Sequence, residues 1–429
     1  MRGAWSLMAL LCALSGCPSS ESERAAGTSA EAELVRVRSP VALGVPLHPR
    51  QGSSEVSGRI ENGASVRVLR RAAAGGWLEV EGSNGARGWI VRRYVEAANS
   101  SSAPAVAPAD SAPPRDERVS VWSSRAACLS IVASGKRAMK RADRFRVGSW
   151  NVRWFPDGGP RRGEQPTDVK WLACAIVWLG VDVLAVQEFK QGADSAAGRQ
   201  LIGALTELSG HGWRLVLDDC PADGRQHVGL LYDTEAALVT QLESDGGLNP
   251  RGSTCGGRLR PGLLARVAKR GGGVDFGVLV VHLKSGVEDA DYRARSAAWQ
   301  PLGRLVAERA RVLQDADQLV LGDWNSMGCA RCGSQISGSG ERGELGQALA
   351  RHRLSLLSAA CTQYYSGEPG ALDHAAVSEG FVEARGATLQ VGATCAERRC
   401  RAARSKSPTQ ASLSDHCPVW LDLESRDLD

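Results

Sequence analysis

The chain has 429 residues, 43% of them apolar, and carries 52 Lys and Arg against 47 Asp and Glu, a formal net charge of +5. That length is too great for one ordinary domain and suits two or three, with enough apolar side chains to bury a sizeable core. The mild basic excess permits an anionic substrate without demanding one, and beyond the extreme N-terminus no stretch is apolar enough to span a bilayer.

Residues 1–17 read as a targeting signal rather than as structure. Arg2 precedes a short apolar run from Trp5 to Ala13, well under the roughly 20 residues that cross a bilayer. Leu14-Ser15-Gly16-Cys17 then resembles a bacterial lipoprotein cleavage box. The resemblance implies that Cys17 becomes a lipidated first residue and the only membrane attachment of a protein of the cell envelope, outside the cytoplasm. Residues 18–34, rich in Ser, Glu and Ala, read as a tether. Residues 98–120, rich in Ser, Ala and Pro, read as a linker.

Between them lie short runs of period two, Ser65–Leu69 and Trp77–Glu81, then the turn signal Ser83-Asn84-Gly85 and a further strand at Gly88–Val91. The order Gly63-Ala64-x-Val66-x-Val68, Gly76-Trp77-x-x-Val80, Asn84-Gly85, Gly88-Trp89-Ile90 and Tyr94-Val95 resembles a bacterial SH3-like domain over residues 35–97. That resemblance implies a small all-β barrel, either a passive spacer or a module that binds a cell-wall or protein ligand. The family's usual start is replaced here by Val45-Pro46-Leu47-His48-Pro49.

From residue 121 to 429, with a core over 144–425, strand-like and helical patterns alternate, which indicates an α/β domain. Strands are expected at Phe145–Trp150, Val181–Val186, Val228–Tyr232, Val278–Leu283, Leu319–Leu321 and Val419–Leu421. Helices are expected at Val169–Leu179 and, as one long amphipathic element, at Tyr292–Gln314.

Twelve cysteines are present, and Cys12 and Cys17 belong to the signal. The remaining even number suggests disulfides of an exported protein, whose connectivity spacing cannot give. Cys329-Ala-Arg-Cys332 has the spacing of a zinc knuckle, but no second pair stands at zinc-site distance, so a disulfide is the better reading.

Polar residues of interest follow the expected strands, where open α/β sheets place their sites. They are Asn151, Glu188 in Gln187-Glu188, His282 in Val281–Ser285, Asp323 and Asn325 in Gly322–Ser326, Asp373 in Leu372-Asp373-His374, and Asp415-His416 in Ser414–Pro418. Each alone has an ordinary structural explanation. Together they form a set of oxygen donors and imidazoles with no cysteine cluster, suited to Mg²⁺, Mn²⁺ or Ca²⁺ and to phosphoester hydrolysis.

In order and spacing these blocks resemble the endonuclease/exonuclease/phosphatase, or deoxyribonuclease-I-like, family. The resemblance implies a four-layer sandwich of two mixed β-sheets flanked by helices. It implies that Glu188 holds a divalent metal with Asn151 and Asp415 nearby. Asp323 and Asn325 would position the attacking water and the phosphate. His416, oriented by Asp373, would contact the phosphate or act as base, and His282 would contact the phosphate or protonate the leaving oxygen. Lys284 is a candidate phosphate contact. The family's acidic partner of the first histidine appears here as Gln226, which orients an imidazole but stabilises its charge less.

The opening Ser149–Phe155 resembles bacterial secreted nucleases of this family, and Arg398, Arg399, Arg401, Arg404 and Lys406 form a basic loop before Asp415. Both favour nucleic acid as substrate, acted on by a monomer. A phosphatase or phospholipase-C-type enzyme for lipid or small-molecule phosphoesters is the alternative, and a non-catalytic envelope-binding lipoprotein is the third reading.

Overall fold

The computed structural model describes residues 34–37, 45–97 and 120–429, apart from 52, 54–55, 62–63, 73–75, 83–84, 161–162, 221–225, 250–254 and 256–259. The signal, nearly all of the tether and the linker up to residue 119 lie outside the described residues. The chain divides into two compact units between Arg115 and Asp116, within the expected linker.

The N-terminal unit is all β. Leu34–Val37, Ser65–Arg71, Trp77–Gly82, Arg87–Val91 and Val95–Ala97 form one five-stranded antiparallel sheet, and Val45–Leu47 pairs with Gly58–Ile60. Alternating side chains, among them Val66, Leu78, Val80 and Ile90, meet in its core. Gly85, at φ +77°, turns the hairpin between the third and fourth of these strands, a conformation glycine adopts without strain.

The C-terminal unit is a four-layer sandwich. One six-stranded mixed sheet contains β1 (Arg144–Phe155) and β2 (Val183–Phe189), which run parallel at its centre. The other contains β3 (Asp275–His282), β4 (Gln318–Asp323) and β5 (Asp373–Ser378). β3 and β4 are parallel, and β5 is antiparallel to β4. The sheets pack face to face through Val147, Val183, Ala185 and Leu230 on one side and Ala265, Phe276, Val278 and Leu321 on the other. The helices Val169–Leu179 and Ala196–Ser209 cover the outer face of the first sheet, and Leu302–Leu313 and Gly338–Ala350 cover that of the second. Strands buried on both faces read as continuous apolar runs, which is why β2, β3 and β4 were legible in the sequence.

The helix expected over Tyr292–Gln314 is instead two, Asp289–Trp299 and Leu302–Leu313. Pro301 separates them, because its ring removes an N–H and crowds the preceding turn.

All ten cysteines after the signal are paired: Cys128–Cys174, Cys220–Cys255, Cys329–Cys332, Cys361–Cys400 and Cys395–Cys417. The Cys329–Cys332 bridge removes the zinc-knuckle alternative. The last two bridges tie the 393–400 segment to residues that precede β5 and follow His416. Closing loops of this kind is ordinarily worth about 2–4 kcal/mol each. Thiol reduction is therefore expected to lower the urea midpoint of the protein clearly. An unchanged midpoint after complete reduction, checked by thiol titration, would count against a structural role for the bridges.

Candidate active site

The site forms where the ends of five strands meet. Register places His282 beside Asp323 and Asp323 beside Asp373 on one sheet edge. Gly322 permits this approach: its φ is +147°, and a Cβ there would stand 2.0 Å from the Val281 carbonyl oxygen. On the other sheet Asn151 and Glu188 sit toward the C-terminal ends of β1 and β2. Glu188 takes a left-handed backbone conformation, φ +68°, as does Asn325 at φ +50°. Non-glycine residues held this way concentrate where structure is over-determined for function.

Asn151 joins the two sheets. Its buried Nδ2 donates to Glu188 Oε1 and to Asp323 Oδ2, 3.0 Å each. Glu188 Oε2 accepts from the Trp154 N–H at 2.9 Å. His282 Nε2 stands 3.4 Å from Asp323 Oδ2 and 3.7 Å from Glu188 Oε1. His416 Nδ1 lies 2.9 Å from Asp373 Oδ2, and its Nε2 faces Asp323 Oδ2 at 3.8 Å. The Asn325 N–H caps Asp323 Oδ1 at 2.9 Å, and its side chain holds the Leu283 carbonyl at 3.1 Å. Asp415 is half-buried at the rim, 3.9 Å from Arg153 Nε.

These contacts divide the two imidazoles. Burial works against a charged His416, but the Asp373 and Asp323 carboxylates outweigh it and hold the ring well above its usual range. Burial, then the Arg260 and His416 charges, push His282 well below. Burial raises Glu188 against the opposing Asn151 hydrogen bond, and pushes Asp323 up to about 7 against the pull of the His416 charge. Neighbouring groups driven apart in this way mark acid–base machinery.

Glu188, His282 and Asp323 bring ligand atoms within 4.8 Å of one another, as do Asp323, Asp373 and His416. The first group, with Asp415 beside it, offers mainly oxygen donors, and that chemistry fits a hard divalent cation. Asn151 instead turns its Nδ2 toward the two carboxylates, while its Oδ1 accepts from the Arg153 N–H.

No protein-family model and no curated protein matches the chain. Solved structures do resemble it. The catalytic domain of human Nocturnin is 16% identical, over 66% of this chain and 95% of that one, with a TM-score of 0.41. A Bacteroides vulgatus endonuclease/exonuclease/phosphatase is 14% identical, over 66% of this chain and 99% of that one, at 0.43. The Bacteroides thetaiotaomicron mannosyl-6-phosphatase is 13% identical, over 65% of this chain and 99% of that one, at 0.41.

Asn151, Glu188, His282, Asp323, Asn325, Asp373 and His416 thus converge, with Asp415 at the rim. Four other candidates stand elsewhere. Gln226 does not meet His282; its Oε1 accepts from Arg260 Nη2. Lys284 Nζ pairs with Asp291 Oδ1 at 2.7 Å instead of facing the cleft. Arg398 stacks over Tyr364 and donates to the Ser405 carbonyl, while Arg399 caps a short helix in a left-handed turn. Of the basic loop, Lys406 lines the cleft of about 570 Å³, with Arg153, Trp154, Tyr365, Glu188, Asp415 and His416. Sequence reasoning passed over Arg260, whose charge bears on Glu188, Asp323 and His282, and Tyr365, 70% exposed at the rim. An isolated Arg and an isolated Tyr carry no motif that would have found them.

Behind Asp323, fully buried His374 steadies the Asn325 loop, its Nε2 2.8 Å from Ser326 Oγ. Burial, aided by Arg342, lowers its pKa to about 3. The unfolded chain then binds the proton more readily, so this contribution is complete above about pH 6.5 and lost as pH falls toward 3. Between pH 7 and 4.5 it amounts to about 2–3 kcal/mol. His374→Gln should therefore lose less stability across that interval than the unaltered protein in paired urea titrations. Equal losses would refute a neutral buried His374.

Proposed function

We propose that the chain is a secreted, divalent-metal-dependent phosphodiesterase that cleaves a nucleic-acid backbone. One observation carries the phosphoester part: His416, fixed by Asp373 and facing Asp323, lines an open cleft together with Glu188 and Asp415, and Asn151 bonds Glu188 to Asp323 behind it. The rim favours a polymer. Lys406 offers a cation for the backbone, and the exposed Tyr365 offers a face on which a base can stack.

Glu188, with Asp415 nearby, would hold the cation, which when bound supplies positive charge to the phosphoryl oxygens, and Asn151 keeps the Glu188 carboxylate in place. Asp323, titrating at about 7, accepts the proton of an attacking water, whose oxygen Asn325 helps to place. His416 brings its positive charge to a phosphoryl oxygen, and Asp373 keeps its ring in one orientation. His282 is neutral, so it donates a hydrogen bond rather than acting as a strong acid. Arg260, anchored on Gln226 and on the Leu283 carbonyl at 3.3 Å, balances the two carboxylates.

The same reading keeps the protein in the envelope, anchored through Cys17, as a monomer whose residues 35–97 act as an SH3-like module for a wall or protein ligand. Five disulfides support an oxidising compartment.

The test is plasmid nicking by the full chain with Mg²⁺, Mn²⁺ or Ca²⁺. Activity should vanish in EDTA and fall by about 100-fold or more in Glu188→Ala and in His416→Ala, with far-ultraviolet circular dichroism unchanged. Normal turnover in either variant would overturn the site. A folded chain that spares DNA and RNA but hydrolyses sphingomyelin or sugar phosphates would move the assignment to the lipid or small-molecule class. Inertness toward all of them would favour an envelope-binding role.

A further inference from the structure

A second cluster of carboxylates lies at the opposite end of β4. Asp317 immediately precedes that strand, Glu383 sits in the short turn Val382–Ala384 beyond β5, and Asp429 is supplied by the segment after Val419–Glu424. One carboxylate oxygen from each lies within 4.8 Å of the others. Asp323 lies six positions beyond Asp317, which at about 3.3 Å per residue is roughly 20 Å along the strand. The cluster is therefore distinct from the candidate active site.

Acidic residues crowd together on many surfaces without consequence. Here depth and bonding say more. Asp317 and Glu383 are each only 2% exposed. Asp317 Oδ1 and Glu383 Oε2 are buried with no hydrogen-bond partner. The other Glu383 oxygen accepts from the Leu428 N–H at 2.5 Å, so the turn and the C-terminal segment are already tied together beside these free oxygens. Asp315 adds a fourth carboxylate: its Oδ1 accepts from the Asp317 N–H at 2.8 Å, and its Oδ2 has no partner. Among the described residues no Lys or Arg pairs with Asp317, Glu383 or Asp429. Arg266, the cation that bears on Asp315, is bonded to Asp275.

Buried carboxylates so close cannot all ionise without compensation. Either they share protons or they bind a cation. We propose that Asp317, Glu383 and Asp429, with Asp315 beside them, form a calcium site that clamps the C-terminal segment to the base of the second sheet. The donors are hard oxygens on three separate chain segments, open to water on the Asp429 side. Ca²⁺ accepts six to eight oxygens in irregular geometry, whereas Mg²⁺ demands a near-ideal octahedron and gives up its waters reluctantly. Nothing in this proposal depends on the chain being a phosphodiesterase.

The experiment uses the full chain stripped with EDTA and titrated with Ca²⁺ or Mg²⁺ at pH 7, read by thermal melting and calorimetry. A Glu188→Gln background removes the contribution of the candidate active site. Saturating Ca²⁺ should raise the melting temperature by about 5 °C. Mg²⁺ should do much less, and Asp317→Asn/Glu383→Gln should abolish the shift. Should that double variant fail to fold, Asp429→Asn decides: this exposed residue is expected to leave the fold intact and weaken Ca²⁺ binding about tenfold. Absence of Ca²⁺ binding by the Glu188→Gln protein would mean that the carboxyl groups share protons and would end the proposal. So would an unchanged affinity in Asp429→Asn, a shift that survives the double substitution, or an equal response to Mg²⁺.

Discussion

Asp323 is buried and Glu188 half-buried on different sheets, and both carboxylates are bonded to one amide group, that of Asn151. Placing two such groups so close, away from water, is costly unless positive charge is near. The rest of the site is arranged around that constraint. His416 is drawn toward its charged form because Asp373 and Asp323 face it, and Arg260 is tolerated in a half-buried setting because Glu188 and Asp323 attract it. His282, flanked by both of these cations, is left neutral. The division of labour between the two imidazoles therefore comes from the placement of charges around them and not from the histidines themselves.

Holding such a cluster requires loops that do not drift. Arg295, fully buried between the sheet and its helices, bonds both oxygens of Glu341 at 2.7 and 3.0 Å. It also holds the carbonyls of Lys284 and Gly286, after His282, and of Gly328, after Asp323. Glu341 in turn accepts from the Gly328 N–H at 2.7 Å. A buried ion pair of this kind adds little net stability over apolar packing, but losing one partner costs about 3–5 kcal/mol. Its value here is positional, since one side chain fixes the paths of two loops that leave neighbouring strand ends. The His374–Ser326 contact does the same for the Asn325 turn from behind.

How much of this was legible in the sequence depends on whether a residue acts through its local context. His282 and Asp323 end buried apolar strands, so strand patterning carried them to the right edge, whereas Asp373 opens its strand and His416 precedes the last one, and these two were legible only through the short motifs that resemble the family's. The alternation of runs indicated only an α/β domain, and the four-layer arrangement came with the family resemblance. Arg260 and Gln226 could not be read this way. They meet each other across 34 positions of chain, and the family resemblance, which set Gln226 in the place of an acidic partner, suggested a histidine contact that space does not provide. Lys284 and Arg398 failed for a related reason: a basic side chain near a motif looks free until its partner, Asp291 for one and the Tyr364 face for the other, is known. Pro301, by contrast, was a local signal whose helix-breaking effect belonged in the reading of residues 292–314. Cysteine spacing could not give pairings such as Cys395–Cys417, because connectivity is decided only when the chain is folded.

The two carboxylate clusters share a strand but differ in what surrounds them. Around Asp323 the buried negative charge is balanced by His416 and Arg260, groups that are themselves held by further contacts. Around Asp317 the groups that act on it, Glu383, Asp429 and Asp315, are all acidic, and burial followed by Glu383 pushes it up to about 9. One end of β4 is thus internally compensated and the other is not. A cation at the first end would alter chemistry, while a cation at the second would alter how firmly the C-terminal segment is held. A chelator would act on both. Loss of activity in EDTA is consequently informative about the candidate active site only when the fold is shown to persist, or when the Asp317 end has been neutralised by substitution. The same logic separates the cations: the candidate active site, with few protein oxygens and room for a phosphate, suits an ion that keeps part of its water shell, whereas the crowded carboxylates at the far end suit one that sheds it.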